Sequence, residues 1–194
     1  MKLLLHACCA PCSIECVHAF TEENITPDIF WCNPNIHPYT EYRSRRDSLR
    51  VFAEAERLSL IMDDEYGLRS FINAIEVDAS QLREAGANQN RCAFCYKIRL
   101  EKTAAIAAEK KYDAFSASLL ISPHQNHDLI KTLAEEIAAR YGVEFLYRDF
   151  RPRFRLGQSK AREAAYYMQK YCGCIYSEEE RYLNRNSNMR GSGQ

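Results

Sequence analysis

The 194-residue chain has no long hydrophobic run, no excess of charge of either sign and few glycines. The opening apolar stretch, Leu3-Leu4-Leu5, stops at His6 and a set of cysteines, and no run approaches the roughly 20 residues of a membrane helix. It is also too short for the apolar core of a secretory signal, so a soluble, cytoplasmic protein without a membrane partner is expected. Lysine plus arginine number 26 and aspartate plus glutamate 26, so net charge by itself announces no nucleic acid. The seven glycines are scattered. None forms a Gly-rich loop after the first apolar run, which argues against a nucleotide-phosphate cradle there.

The chain is rich in thiols. Nine cysteines, an odd number, in a chain expected in a reducing compartment do not read as a disulfide framework, and metal or redox chemistry is the better default. The first group is His6-Ala7-Cys8-Cys9-Ala10-Pro11-Cys12, placed where a short buried strand would end. Successive strand side chains point to opposite faces, so Cys8 and Cys9 can share one site only where the strand turns. Pro11 suits the first turn of a following helix. The second group is Cys92-Ala93-Phe94-Cys95, whose spacing puts both sulfurs on one face at the start of a helix, where the helix dipole favours thiolates. With Cys8 and Cys9 it makes four thiolates, which suit a 4Fe–4S cluster or a structural zinc; spacing leaves both open. Cys12 is then an extra thiol, and Cys16, one turn later, fits helix packing. In the third group, Tyr171-Cys172-Gly173-Cys174, glycine permits a tight backbone. A disulfide across so short a loop is readily reduced, as a redox couple requires, with two more metal ligands as the competing reading.

Strand patterns at 3–8, 28–32, 60–62, 115–121 and 143–147 alternate with helical ones at 13–23, 39–58, 68–75, 79–85 (ended by Gly86), 91–111, 127–141 (capped by Gly142) and 159–171. Alternation of this kind implies right-handed crossovers and a mostly parallel sheet covered on both faces. Its site lies beyond the carboxyl ends of the strands, where strand order reverses. One α/β domain over 1–184 and a polar, flexible tail over 185–194 are expected. Two basic segments stand out. Residues 148–162 interleave Arg151 and Arg153 with Phe150 and Phe154, and Arg43, Arg45, Arg46 and Arg50 recur along one predicted helix. Such segments can meet phosphates and stack bases, or can simply be solvated charge.

Taken together these motifs resemble the QueH family of epoxyqueuosine reductases. The resemblance is carried by His6-x-Cys8-Cys9-Ala10-Pro11-Cys12, by Asn33-Pro34-Asn35-Ile36-His37-Pro38 with Glu41-Tyr42-x-x-Arg45, and by Arg91-Cys92-x-x-Cys95-Tyr96-x-x-Arg99-Leu100. Leu119-Leu120-Ile121-Ser122-Pro123 and Tyr171-Cys172-Gly173-Cys174 complete it, in family order over nearly the whole chain. The resemblance implies a Rossmann-like (HUP-like) sheet and a cobalamin-independent reduction of epoxyqueuosine to queuosine in tRNA, the last step of queuosine synthesis. It further implies a 4Fe–4S cluster on Cys8, Cys9, Cys92 and Cys95, a redox-active pair of Cys172 and Cys174, and an additional iron ion beside the cluster. Cys12 is the candidate ligand for that iron. Arg45, Arg151 and Arg153 are the expected phosphate contacts, and an external electron donor is required. Cys32 stands where an aromatic is expected in the family and is given no role. Two other classes use part of the pattern. A zinc-binding, non-catalytic RNA module leaves Cys12 and the Cys-Gly-Cys pair unexplained, and a thiol–disulfide oxidoreductase leaves the four-thiol set unexplained.

Overall fold

The computed structural model describes residues 1–81 and 87–190. Its regular elements run β1 (Leu3–His6), α1 (Ala10–Glu22), β2 (Asp28–Cys32), α2 (Tyr39–Ala55), β3 (Leu60–Asp63), α3 (Leu68–Gln81) and α4 (Ala87–Glu109). Then follow β4 (Ala114–Ala117), α5 (His127–Tyr141), β5 (Glu144–Phe145), α6 (Phe154–Glu163) and α7 (Ile175–Arg190). The strands form one parallel sheet in the order β3-β2-β1-β4-β5. Parallel neighbours need a crossover element between them, which is why every strand is followed by helix or turn before the next.

The centre of the sheet is β1. Leu3, Leu4, Leu5 and His6 are all 1% exposed or less, and since alternate side chains point to opposite faces, both faces are covered. Helices α4 and α5 pack on each other, as do α1, α2 and α6. The register pairs Leu5 with Ile29 on one side and Ser116 on the other. The chain winds outward through β2 and β3, then returns across β1 to β4. The order therefore reverses between β1 and β4, and the carboxyl ends of those two strands flank the crevice where such sheets place their ligands.

Strand 115–121 of the sequence reading is shorter in the structure: β4 stops at Ala117 and Ser118–Ile121 is a 3-10 turn. Leu119, Leu120 and Ile121 remain buried, and an apolar run reports burial without distinguishing strand from turn. The segments expected at 68–75 and 79–85 fall in one helix up to Gln81, and the end assigned to Gly86 lies outside the described residues. The helix expected at 159–171 starts earlier, at Phe154 behind the 3-10 turn Arg151–Arg153, and ends at Glu163. Ala165 then takes a left-handed φ of 55°, which turns the chain away. Helix α7 runs on past residue 185, where the tail was expected to begin, to Arg190; residues 191–194 lie outside the described residues. Gly142 caps α5 as expected, with φ of 64°.

Leu5→Ala tests the centrality of β1. Removing this fully buried side chain should lower unfolding free energy by about 2–5 kcal/mol, read from urea titration.

Candidate functional site

Three residues separate β1 from α1, so the chain turns sharply with its thiols inside the turn. Cys9 is the N-cap of α1, Pro11 stands in its first turn, and Cys12 follows. The Cys8 and Cys9 sulfurs are 3.7 Å apart, and those of Cys8, Cys9 and Cys12 all lie within 4.8 Å of one another, all buried. The Cys8 amide donates to Ser118 Oγ (3.3 Å), which ties the turn to the end of β4. Hydrogen bonds from Cys12 and Cys9 hold the Cys8 thiol well below its ordinary pKa, while burial pushes the Cys9 thiol well above. Hydrogen bonding to Cys8 likewise raises Cys12. Three thiols this close cannot all ionise on their own, so a second and third charge require a cation among them. Cys16 lies below the trio and donates to the Cys12 carbonyl (3.2 Å), as a packing residue does.

Helix α4 supplies the second set. Cys92, Cys95 and Arg99 recur every three or four residues and so share one face. Arg99 is 2% exposed and donates from Nε to the Cys95 carbonyl (2.9 Å) and from Nη2 to the Cys95 sulfur (3.1 Å). Burial pushes the Cys95 thiol up to about 12, against the pull of that guanidinium. The nearby thiols, Cys95 first, then Cys172 and Cys8, favour the charged form of Arg99 against its burial. Cys95, Cys174 and Phe71 form a small buried cluster with Phe94 and Tyr176 packed on it. The Cys-Gly-Cys segment thus joins the Cys92/Cys95 set, while Cys172 is exposed.

That segment is clamped from α2. Arg45 is 1% exposed, pairs with Glu41 (2.7 Å), and donates to the carbonyls of Cys172 (2.9 Å) and Tyr171 (2.9 Å). Tyr167 donates to the other oxygen of Glu41. The Tyr171 hydroxyl donates to the His37 carbonyl (2.6 Å), and the His37 amide donates to the Gly173 carbonyl (2.8 Å). Gly173 has φ of 139°, and a Cβ there would stand 3.2 Å from Arg45 Nη1, so only glycine fits. Arg45 therefore does not face a phosphate: its guanidinium is enclosed and bonded to the protein. The sequence carried the signal, because Tyr42, Arg45, Leu49 and Phe52 form one helical stripe and all are buried.

The other expected phosphate contacts are on the surface with acidic partners. Arg151 bonds Asp149 (2.6 Å) and Arg153 bonds Glu22 and the buried Glu15. Phe150 is buried against Phe20 and is not a stacking surface. Two glutamines escaped the sequence reading. Gln169 donates to the Cys12 sulfur (3.2 Å), and Gln125 donates to the Cys172 sulfur (3.4 Å) while accepting from the Tyr96 hydroxyl (2.6 Å). Nothing in their sequence context marks them. Cys32 Sγ lies 3.7 Å from Asp63 Oδ2, near the end of β2 and apart from both thiol sets.

Whether a metal group fits is decided by donors. The trio Cys8, Cys9 and Cys12 is compact enough for one ion, and Cys92 and Cys95 stand outside that compact set. A cluster of four irons spreads its thiolates more widely than one ion does, which suits ligands drawn from two elements. Buried polar atoms without a partner include His6 Nδ1, Asn33 Oδ1, Asn35 Oδ1, His37 Nδ1 and Gln169 Oε1. His6, Asn33, Asn35 and His37 follow the carboxyl ends of β1 and β2, and Gln169 adjoins Cys12. Such atoms are costly in a closed interior unless a ligand or an ordered water answers them. His6 is held neutral, its pKa lowered to about 4 by burial and Arg99, and donates from Nε2 to the Cys32 carbonyl (3.0 Å).

Fold and site together define an α/β class of protein: a parallel sheet whose central strand ends in buried cysteines close enough to hold one metal ion, beside a second thiol set. The family model described as "Epoxyqueuosine reductase QueH" matches residues 3–180, and the chain belongs to that family. The protein of that name from Dehalococcoides mccartyi is 37% identical over 186 residues, which is 96% of this chain and 97% of that one. Its namesake from Thermotoga maritima is 31% identical over 92% of this chain and 91% of its own. The one from Acinetobacter baylyi is 34% identical over 91% and 80%. No helix among the described residues is long and apolar enough to cross a membrane.

Arg45→Leu should cost about 3–5 kcal/mol of stability, because it strands Glu41 as an unpaired buried charge. Adding Glu41→Gln should recover part of that loss in the same urea measurement.

Proposed function

We propose that this chain is an epoxyqueuosine reductase, an oxidoreductase that removes the epoxide oxygen of epoxyqueuosine in tRNA to give queuosine. The observation that carries the reading is the family match over residues 3–180, in a chain whose thiols gather at the sheet's switch point. Cys8, Cys9, Cys92 and Cys95 are assigned to a 4Fe–4S cluster, and Cys12, with Gln169 against it, to an adjacent iron ion. When bound, the cluster supplies single electrons and the open iron a Lewis acid for the epoxide oxygen.

The remaining chemistry belongs to the protein. Loss of an epoxide oxygen as water takes two electrons and two protons. Cys172 and Cys174 supply both when their thiols close to a disulfide, and an external electron donor must then reopen it. Arg45 and the His37 amide hold the backbone of the pair while the sulfurs change partners. Arg151 is exposed enough to exchange Asp149 for phosphate, since a surface pair of this kind is worth only about 0–1 kcal/mol, whereas Arg153 would have to leave the buried Glu15 as well as the exposed Glu22.

The test is anaerobic purification with iron, sulfide and zinc analysis, followed by turnover of epoxide-bearing tRNA with a chemical reductant. Iron, sulfide and product together are expected; zinc without sulfide would indicate the RNA-module alternative. Cys95→Ala should lose iron and activity, and a fully loaded cluster in that variant would rule out this ligand set. Cys172→Ser should keep its iron yet lose multiple turnover, and unimpaired turnover would remove the dithiol from the mechanism.

A separate outcome concerns tRNA affinity. Replacing Arg151 and Arg153 together with alanine should flatten the slope of log K against log salt by about 0.7–0.9 for each phosphate the protein no longer neutralises. An unchanged slope would show that this segment does not meet the tRNA.

A further inference from the structure

We propose that the two sulfurs of the Cys172–Cys174 couple have fixed and different parts in its re-reduction: an external dithiol attacks Cys172, and Cys174 leaves as the thiolate. The inference rests on the reading of these cysteines as a dithiol–disulfide couple and adds a direction to it.

Access chooses the sulfur that is attacked. Cys172 is exposed, whereas Cys174 is 8% exposed and packed with Cys95 and Phe71 under Tyr176. An incoming thiolate must approach its target sulfur along the S–S axis, and Cys172 is the sulfur that meets solvent. Access of this kind enters directly into the rate of thiol–disulfide exchange.

The leaving side is chosen by hydrogen bonding. Cys174 immediately precedes α7, and its carbonyl accepts the first helical bond, from the Glu178 amide (3.1 Å). The Ser177 amide donates to the Cys174 sulfur (3.4 Å). Amides at a helix start lack helical partners and carry the positive end of the dipole, so negative charge is favoured there. A stabilised leaving thiolate departs faster. Cys172 has one neutral side-chain donor, Gln125, held in place by Tyr96. The sulfur that can be reached and the sulfur best placed to accept charge are therefore different atoms, in the arrangement that one-directional exchange needs.

In the first exchange a thiolate of the donor bonds to Cys172 Sγ, the Cys172–Cys174 bond breaks, and its electron pair goes to Cys174 Sγ, which takes up a proton. The donor's second thiolate then attacks the donor sulfur of the mixed disulfide. Cys172 leaves as a thiolate and takes a second proton, and the donor ends as its own disulfide. The couple has gained two electrons and two protons, and the donor has lost them. The shared chemistry is a dithiol, whether a small molecule or a protein.

The test uses the wild-type holoprotein. Trypsin releases both cysteines in one peptide, residues 171–181, which is two hydrogens lighter once the couple is oxidised. The oxidised protein is mixed briefly with glutathione, a monothiol that cannot complete the second step within one molecule. Free thiols are then blocked, and the glutathione adduct is located by fragmentation. At least about tenfold more adduct on Cys172 than on Cys174 is expected. Equal labelling, or an excess on Cys174, would overturn the direction while leaving the couple intact. A peptide that never becomes lighter would sink the couple itself, and the direction with it. Single-sulfur variants give a separate arm for access: with glutathione disulfide, at a pH high enough that thiolate fraction no longer separates the two, Cys174→Ser should form its mixed disulfide at least about tenfold faster than Cys172→Ser. The reverse order overturns the proposal. Dithiothreitol and a protein bearing a C-x-x-C dithiol are run separately, and reduction by either one through Cys174 also overturns it.

Discussion

Crowded sulfur is the constraint on which the rest of the structure depends. A turn of three residues puts the Cys8, Cys9 and Cys12 sulfurs within 4.8 Å of one another in a buried place, where several like charges cannot stand together. Metal would satisfy them, but the protein also surrounds them with fixed positive charge. Arg45 on α2 and Arg99 on α4 are almost wholly buried and both lie in the field of Cys8. Each guanidinium in turn must have its donors answered inside the protein. Arg99 uses the Cys95 carbonyl and sulfur, and Arg45 uses Glu41 and the carbonyls of Tyr171 and Cys172. The need to answer those donors fastens the distant segment 167–174 over the thiols. Packing of the apolar sheet alone would not place it there.

Much of this was legible in the sequence, and the boundary between what was and was not has a physical basis. Alternating short apolar runs and amphipathic stretches gave the five strands and their parallel order of connection, because periodicity reports which side chains are buried. The same signal failed at Leu119-Leu120-Ile121, where burial continues although the strand has ended. It failed again near 159–171, where the start of α6 at Phe154 depends on a 3-10 turn with proline in its first positions. Helix α7, with mostly polar residues after Tyr176, has little apolar pattern to read. The thiol groups were found because three close pairs or triplets of cysteine are rare in sequence. That Cys174 would lie with Cys95 rather than with the trio required the fold.

Charge was the less readable part. A count of basic residues treated Arg45 as equivalent to Arg43, Arg46 and Arg50, yet position on the helix separates them. Arg45 falls on the stripe of Tyr42, Leu49 and Phe52, whereas Arg43 and Arg50 fall on the exposed face. The basic segment after Arg148 is likewise part of an interhelix brace. Glu15, 1% exposed on α1, receives Lys160 (2.7 Å) from α6 and Arg153 (3.3 Å), so these charges hold α6 against α1 behind the thiol turn. Gly157 permits that approach, since a Cβ there would stand 3.3 Å from the Pro11 carbonyl. Within that segment Arg153 and Lys160 are counter-charges to a buried carboxylate, whereas Arg151 pairs only with the exposed Asp149.

The division of rigidity across the site matches the parts proposed for each set of sulfurs. Cys8, Cys9, Cys12, Cys92 and Cys95 sit on a helix or the turn leading into one, where backbone hydrogen bonding fixes Cβ positions, as the proposed metal ligands would need. A dithiol that opens and closes cannot be held in that way, because its two sulfurs must separate and meet. Cys172 and Cys174 accordingly stand on irregular chain between α6 and α7, with a glycine at φ of 139° between them. Their backbone, however, is not loose: Arg45 and the His37 amide hold the carbonyls of residues 171–173 in place, and the Tyr171 hydroxyl bonds the His37 carbonyl in return. Backbone anchoring with side-chain freedom keeps one sulfur beside Cys95 and the other toward solvent. On the proposed dithiol reading, electrons received from outside and chemistry performed inside can then pass through one short segment without unpacking the sheet.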